Sequence, residues 1–89
     1  MKTIYKFYAD WCGPCRMYAP TFDKVAKKYD NQVEYHNINV DEQPEIAQKY
    51  NVRSIPYTVL VKEDGSTVNK VGILSEIEVE ELFLSLIHI

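Results

Sequence analysis

The sequence contains few cysteines, few glycines and no long apolar run. Only two of its 89 residues are cysteine and only three are glycine. A secreted domain held together by disulfides carries several widely spaced cysteines, so that class is excluded. No apolar stretch approaches the ~20 residues of a membrane-spanning helix, and Lys6 and Asp10 interrupt any signal-peptide segment. We therefore expect a cytoplasmic protein that has no contact with membranes.

Concentrated positive charge and paired metal ligands are also lacking. The net charge is −3, and the basic residues are spread from Lys2 to Lys70 without a cluster. Binding to a phosphate backbone needs positive charge gathered on one face, so we do not expect a nucleic-acid partner. The two cysteines could form half of a zinc site, but His36 and His88 are far apart and lack ligand spacing. We expect no bound metal.

The apolar pattern predicts one α/β domain over residues 1–89, with the order β-α-β-α-β-β-α. The predicted strands are residues 4–9, 33–40, 57–62 and 67–73. Asp64 and Gly65 fall in the turn of a hairpin between the last two. The first two strands are joined through a helix and should be parallel, with a right-handed crossover. The hairpin then completes a mixed four-stranded sheet with helices on both faces.

Three helices complete the pattern. The first has one apolar face with the spacing of a helix, formed by Tyr18, Phe22, Val25, Ala26 and Tyr29. Pro20 lies inside it and should kink it. Residues 41–44 open a second, short helix that extends to about Tyr50. Ser75 and Glu78 form a capping box before the last helix, whose predicted buried face is Val79, Leu82, Phe83, Leu86 and Ile87.

The segment Trp11-Cys12-Gly13-Pro14-Cys15 joins the first strand to the first helix. Unpaired N–H groups and the helix dipole favour a thiolate at such a helix start. We predict that Cys12 attacks a substrate disulfide and that the more buried Cys15 then resolves the mixed disulfide. Gly13 permits the tight path and Pro14 stiffens it. Two cysteines that merely pack would not require this combination, so we predict a thiol–disulfide oxidoreductase.

A second proline stands close to the predicted site. Ile55 and Pro56 come directly before the third strand. A cis bond there would form a fixed bend beside Cys12 and expose backbone to a bound peptide. A trans proline that simply starts the strand fits the residues equally well.

Four motifs together resemble the thioredoxin family over nearly the whole chain. They are residues 9–17 with 19–20, residues 39–41, residues 52–56, and residues 70–72 with 74–75. The resemblance implies a cis Pro56 and a docking patch for protein substrates formed by Trp11, Gly13, Ile55, Pro56, Val71 and Gly72. It also implies a monomer without a cofactor that receives electrons from a thioredoxin reductase. The implied substrates are protein disulfides, such as those of ribonucleotide reductase.

The sequence departs from the family at three points. The usual first strand and helix have no counterpart, so we expect the minimal thioredoxin fold also seen in glutaredoxins and in shortened phage and prokaryotic proteins. Lys6 stands where a buried aspartate is usual, and Asn37 where its lysine partner is usual. Tyr57 follows Pro56 in place of a common threonine. The Cys-Gly-Pro-Cys loop nevertheless has the form found in thioredoxins and argues against a glutathione-dependent glutaredoxin.

Lys6 has three interpretations. Its ammonium could reach water at the edge of the sheet. Its charge could instead lie near Cys12 and Cys15, stabilise thiolate and make the pair a better oxidant. A neutral, partly desolvated Lys6 could also accept the Cys15 proton. His36 and His88 are expected to be structural or to face solvent.

Three functions are compatible with these features. The leading hypothesis is a reductase of protein disulfides. An oxidase or isomerase would differ from it only in reduction potential, which the Cys-x-x-Cys spacing does not fix. A binding subunit with this fold would need the surface around the cysteines but not their thiols.

Overall fold

The backbone forms seven elements in the predicted order. The computed structural model describes residues 2–87, and His88 lies outside them. The elements are β1 (Thr3–Tyr8), α1 (Gly13–Lys28), β2 (Glu34–Asn39), α2 (Pro44–Lys49), β3 (Tyr57–Val61), β4 (Thr67–Val71) and α3 (Glu76–Ile87). Pro14 and Pro44 stand in the first turns of α1 and α2, where the missing N–H costs nothing. Among residues 2–87, no helix has both the length and the apolar character to cross a bilayer.

The four strands form one mixed sheet in the order β2-β1-β3-β4. β1 runs parallel to β2 and antiparallel to β3, and β3 and β4 form the antiparallel hairpin. The predicted mixed sheet is therefore confirmed. Lys6 lies in β1, between Asn37 of β2 and Thr58 of β3. Because β1 is an interior strand, the interpretation that placed Lys6 at the sheet edge is wrong.

Helices cover both faces of the sheet, as predicted. Side chains alternate between the faces along each strand. Ile4 and Leu60 pack with α1 and α3 on one face, and Phe7 and Val59 pack with α2 on the other. The buried residues of α1 include the predicted Tyr18, Phe22, Val25 and Ala26, whereas those of α3 are Val79, Leu82, Phe83 and Leu86. Tyr29 caps α1 and is only half-buried.

Each strand ends one or two residues earlier than the apolar pattern predicted. The clearest case is β4, predicted to reach Ile73, which ends at Val71. Gly72 has a φ of +86°, which takes the chain out of the extended conformation, and its N–H donates 2.9 Å to the carbonyl of Pro56. The end of β4 is thereby attached to the proline that precedes β3.

Local signals predicted two junctions correctly, the hairpin loop and the start of α3. In the hairpin loop the N–H of Gly65 donates to the carbonyl of Lys62, and Gly65 has a φ of +89°. The capping box is present, since the Glu78 N–H donates to Ser75 Oγ at 3.2 Å. In return the Ser75 N–H donates to Glu78 Oε1 at 3.0 Å.

Candidate active site

Cys12 occupies the N-cap of α1. The strand β1 ends at Tyr8, and the Cys12 N–H donates to the carbonyl of Ala9 at 3.1 Å. Cys12 keeps an extended backbone, and its Sγ accepts a 3.3 Å hydrogen bond from the Cys15 N–H. This N–H is one of the donors that a helix start leaves unpaired. The sulfur of Cys12 therefore lies where the backbone favours negative charge.

Cys12 and Cys15 are joined by a disulfide, and their Cα atoms are 5.3 Å apart. The pair forms a small apolar cluster with Ala9, against which Val40 and Ile55 pack. Cys15 was predicted to be the more buried residue. The exposed fractions are 5% for Cys12 and 3% for Cys15, a difference too small to distinguish their roles. What separates them is position, because only Cys12 caps the helix.

The proline segment lies against the disulfide. The Ile55–Pro56 bond is cis, as the family resemblance implied. Ile55 packs on the cluster that contains Cys12 and Cys15, and Pro56 is buried. Because Gly72 donates to the Pro56 carbonyl and Val71 is opposite Tyr57, the end of β4 reaches the same site.

Trp11 forms one side of a hollow beside this segment. Its side chain is 69% exposed, and its indole Nε1 donates 2.8 Å to Oδ2 of Asp41. The hollow has a volume of about 380 Å³ and is lined by Trp11, Val40, Ala47, Val52, Arg53, Ser54 and Ile55. Such a concave, mainly apolar surface suits contact with another polypeptide.

Asp41 was not singled out from the sequence. It follows β2, and Trp11 follows β1, which is parallel to β2 and adjacent to it. The carboxyl ends of adjacent parallel strands meet at one edge of a sheet, so this signal was present in the sequence. Asn39 fixes the turn, because its Oδ1 accepts the N–H of Asp41 at 2.9 Å.

Lys6 lies beneath the site and is only 2% exposed. Its Nζ is 5.3 Å from the ring centroid of Phe22 and 5.9 Å from that of Tyr18. Burial lowers the pKa of Lys6, and the charge of Asp23 partly opposes that effect. Lys6 and Cys15 line the same cavity, whose volume is about 250 Å³.

The other titratable candidates do not join the cysteines. His36 Nε2 lies 3.0 Å from Glu34 Oε2, and its ring stacks on Tyr5 with centroids 5.3 Å apart. In the part of the chain that the structure describes, no group of three or more His, Cys, Asp or Glu side chains could hold a metal ion.

Comparison with known proteins agrees with the geometry. The Thioredoxin family model matches residues 1–83. Thioredoxin 1 of Synechococcus elongatus is 48% identical over 71 residues, which cover 80% of this chain and 65% of that protein. A thioredoxin of Borreliella burgdorferi is 38% identical over 73 residues, which cover 82% of this chain and 62% of that protein. The chain thus spans slightly less than two thirds of the length of both relatives.

Solved structures share the fold over almost the whole chain. A thioredoxin mutant from Halobacterium salinarum has a TM-score of 0.85 and 36% identity, covering 99% of this chain and 76% of that one. A yeast mitochondrial structure, described as bearing on thiol resolution in a 1-Cys peroxiredoxin, has a TM-score of 0.82 and 32% identity. It covers 96% of this chain and 78% of that one. The family match, the curated relatives and the shared fold together show that this chain belongs to the thioredoxin family.

Proposed function

We propose that this protein reduces disulfides in other proteins through Cys12 and Cys15. The observation that carries this proposal is the hydrogen bond from the Cys15 N–H to Cys12 Sγ at the start of α1. A sulfur held against unpaired helix N–H groups ionises more readily than a free cysteine, and thiolate is the form that attacks disulfides. Cys15 is already within bonding distance of that sulfur.

The reaction has two exchange steps. In the reduced protein the Cys12 thiolate attacks one sulfur of the substrate disulfide, and the other substrate sulfur leaves as a thiolate. Cys15, as thiolate, then attacks Cys12 Sγ and releases the second substrate thiolate. The products are a substrate dithiol and the Cys12–Cys15 disulfide, so two electrons pass to the substrate. A reductant must then restore the dithiol.

The surface around the cysteines supports a polypeptide substrate. Trp11 and Val71 are 69% and 66% exposed, although both are large and apolar. Together with Gly13, Ile55, Pro56 and Gly72 they form the proposed docking patch. We propose a thioredoxin reductase as electron donor and protein disulfides, including those of ribonucleotide reductase, as substrates. A cytoplasmic location suits this direction of transfer, because that compartment keeps thiols reduced.

The test is reduction of insulin with dithiothreitol as the electron source. The wild-type protein should accelerate precipitation of the insulin chains, whereas Cys12→Ser should fall to the uncatalysed rate. Cys15→Ser should also lose turnover but trap insulin as a mixed disulfide through Cys12. A trap formed by Cys12→Ser and not by Cys15→Ser would reverse the assigned roles. A wild-type protein that does not accelerate the reaction would instead favour the binding subunit.

The direction of transfer requires a separate measurement. Equilibration of the Cys12–Cys15 pair with glutathione buffers gives its reduction potential. A value near the roughly −270 mV of thioredoxin supports the reductase. A value near the roughly −180 to −120 mV of disulfide isomerases and oxidases would favour an isomerase or oxidase instead of a reductase.

A further inference from the structure

Lys6 is a buried cation that the two exchange steps above do not use. It lies in the interior strand β1 and is 2% exposed. Within residues 2–87, its Nζ has no ion pair or hydrogen bond to a side chain, and its nearest described partners are the rings of Tyr18 and Phe22. Burying lysine without a carboxylate partner is costly. Ionisable groups perturbed by burial cluster at functional sites, which makes Lys6 a candidate for a role in the reaction.

The cavity beside Lys6 connects it with one of the two cysteines. Its volume of about 250 Å³ exceeds the roughly 30 Å³ that one water occupies in the liquid. It is lined by Lys6, Tyr8, Ala9, Cys15, Ala19 and Asn37, together with the exposed residues Asp10 and Arg16. Cys12 is not among them. Of the two cysteines, only Cys15 therefore shares this space with Lys6.

Some features of the surroundings of Lys6 favour its charged form, and burial opposes it. The rings of Phe22 and Tyr18 present their electron-rich faces within about 6 Å, which favours a cation. Asp23 of α1 also favours it, while burial opposes it. Three other titratable groups line the cavity with Lys6, namely Tyr8, Asp10 and Arg16. Tyr18 of α1 lies next to Lys6, and Tyr35 of β2 and Glu78 of α3 interact electrostatically with Tyr18.

We propose that the buried ammonium of Lys6 stabilises the thiolate of Cys15 across this cavity and so accelerates the second exchange step. The inference rests on the proposed function and adds a residue to it. The Cys15 thiol loses its proton to solvent through the cavity, and Lys6 remains protonated. The thiolate forms its new bond to Cys12 Sγ, and the bond between Cys12 and the substrate sulfur breaks. The substrate leaves as a thiolate, so the number of electrons transferred is unchanged.

The two steps can be followed separately with a chromogenic aromatic disulfide. Attack by Cys12 releases one coloured thiolate, and resolution by Cys15 releases the second. We expect Lys6→Met, which preserves length but removes charge, to slow the second release about tenfold at neutral pH. Because the variant makes Cys15 ionise at higher pH, its rate should approach that of the wild type in alkaline solution. The first release should change much less.

Several controls isolate the charge. Lys24→Met removes an exposed cation of α1 that is paired with Glu76, and it should leave both releases unchanged. Lys6→Gln should behave as Lys6→Met does, and Lys6→Arg should restore part of the rate. Circular dichroism confirms that each variant is folded. If Lys6→Met does not fold, the comparison of wild type with Lys6→Gln decides the question.

The remaining outcomes contradict the proposal. Equal rates in Lys6→Met and wild type across the pH range would leave Lys6 with a structural role only. A second release slowed by the same factor at every pH would show that the substitution displaces Cys15 and does not change its ionisation. Failure of the proposed function itself looks different, because the wild-type protein would then give no second release.

Discussion

The indole of Trp11 is held by the carboxylate of Asp41, with 2.8 Å between Nε1 and Oδ2. The two residues follow the adjacent parallel strands β1 and β2. Trp11 precedes the reactive Cys12 and is 69% exposed, so little else fixes its orientation. The hydrogen bond therefore sets one wall of the hollow next to the disulfide.

Substituting Asp41→Ala should impair reduction of proteins more than reduction of small disulfides. Without its acceptor the indole samples other orientations, and an ordered docking surface is lost. Because the bond is exposed, we expect a modest loss of about threefold in the kcat/KM for insulin. Trp11 is the single tryptophan, so its fluorescence should change as well. The neighbouring Glu42→Ala serves as control, and equal losses in the two variants would contradict this role.

Val71 provides a direct test of the proposed docking patch. Its side chain is 66% exposed at the end of β4, opposite Tyr57. Val71→Asp places a charge that a docked apolar segment would have to desolvate, so insulin reduction should fall by about tenfold. Turnover of a small aromatic disulfide should not change. Thr67 is exposed at the other end of β4, so the control Thr67→Asp should leave both reactions intact. A loss of both reactions in Val71→Asp would indicate damage to the fold.

The sequence predicted the parts that depend on local signals. The order of elements, the capping box of Ser75 and Glu78 and the helix start at Cys12 all follow from residues close together in the chain. Contacts between distant residues were harder to predict. The environment of Lys6 depends on which strand is central, a property of the whole sheet. Strand ends were overestimated, because apolar residues such as Ile73 continue beyond the last ladder bonds.

The capping box should give α3 a measurable dependence on acid. Ser75→Ala should reduce the free energy of unfolding by about 1 kcal/mol near neutral pH. The backbone N–H and hydroxyl of Ser75 lower the pKa of Glu78 below its usual 4.5. A lowered carboxyl pKa confers stability that is present above pH 4.5 and is lost as the pH falls through the folded-state value.

Urea unfolding from pH 7 to pH 2 measures this effect. Wild type and Ser75→Ala should differ most at pH 7, and the difference should shrink in acid as Glu78 becomes protonated. Ser85→Ala, whose hydroxyl donates 2.7 Å to the carbonyl of Leu82 and not to a carboxylate, controls for loss of a hydroxyl. A difference that stays constant with pH would show that the Ser75 hydroxyl does not act on the Glu78 carboxylate.

Tyr18 should make the protein sensitive to alkali. Burial raises its pKa from 10.0 to about 12. Its hydroxyl makes no hydrogen bond of good geometry within residues 2–87, although Thr58 and the Leu74 backbone lie nearby. A raised tyrosine pKa means that folding favours the protonated form. The resulting stability is present below pH 10 and is lost as the pH rises through 12.

Tyr18→Phe should therefore cost little at pH 7 and flatten the fall in stability above pH 10. Removing a buried hydroxyl that has no good partner changes the free energy of unfolding by between 0 and about 1 kcal/mol in favour of folding. Tyr35→Phe is the matched control at pH 7, because the Tyr35 hydroxyl donates 3.2 Å to Asp23 Oδ1 and its loss should destabilise by about 1 kcal/mol. Thermal unfolding from pH 7 to 11 compares the three proteins. If Tyr18→Phe proved as destabilising as Tyr35→Phe at pH 7, the Tyr18 hydroxyl would have a stabilising partner after all.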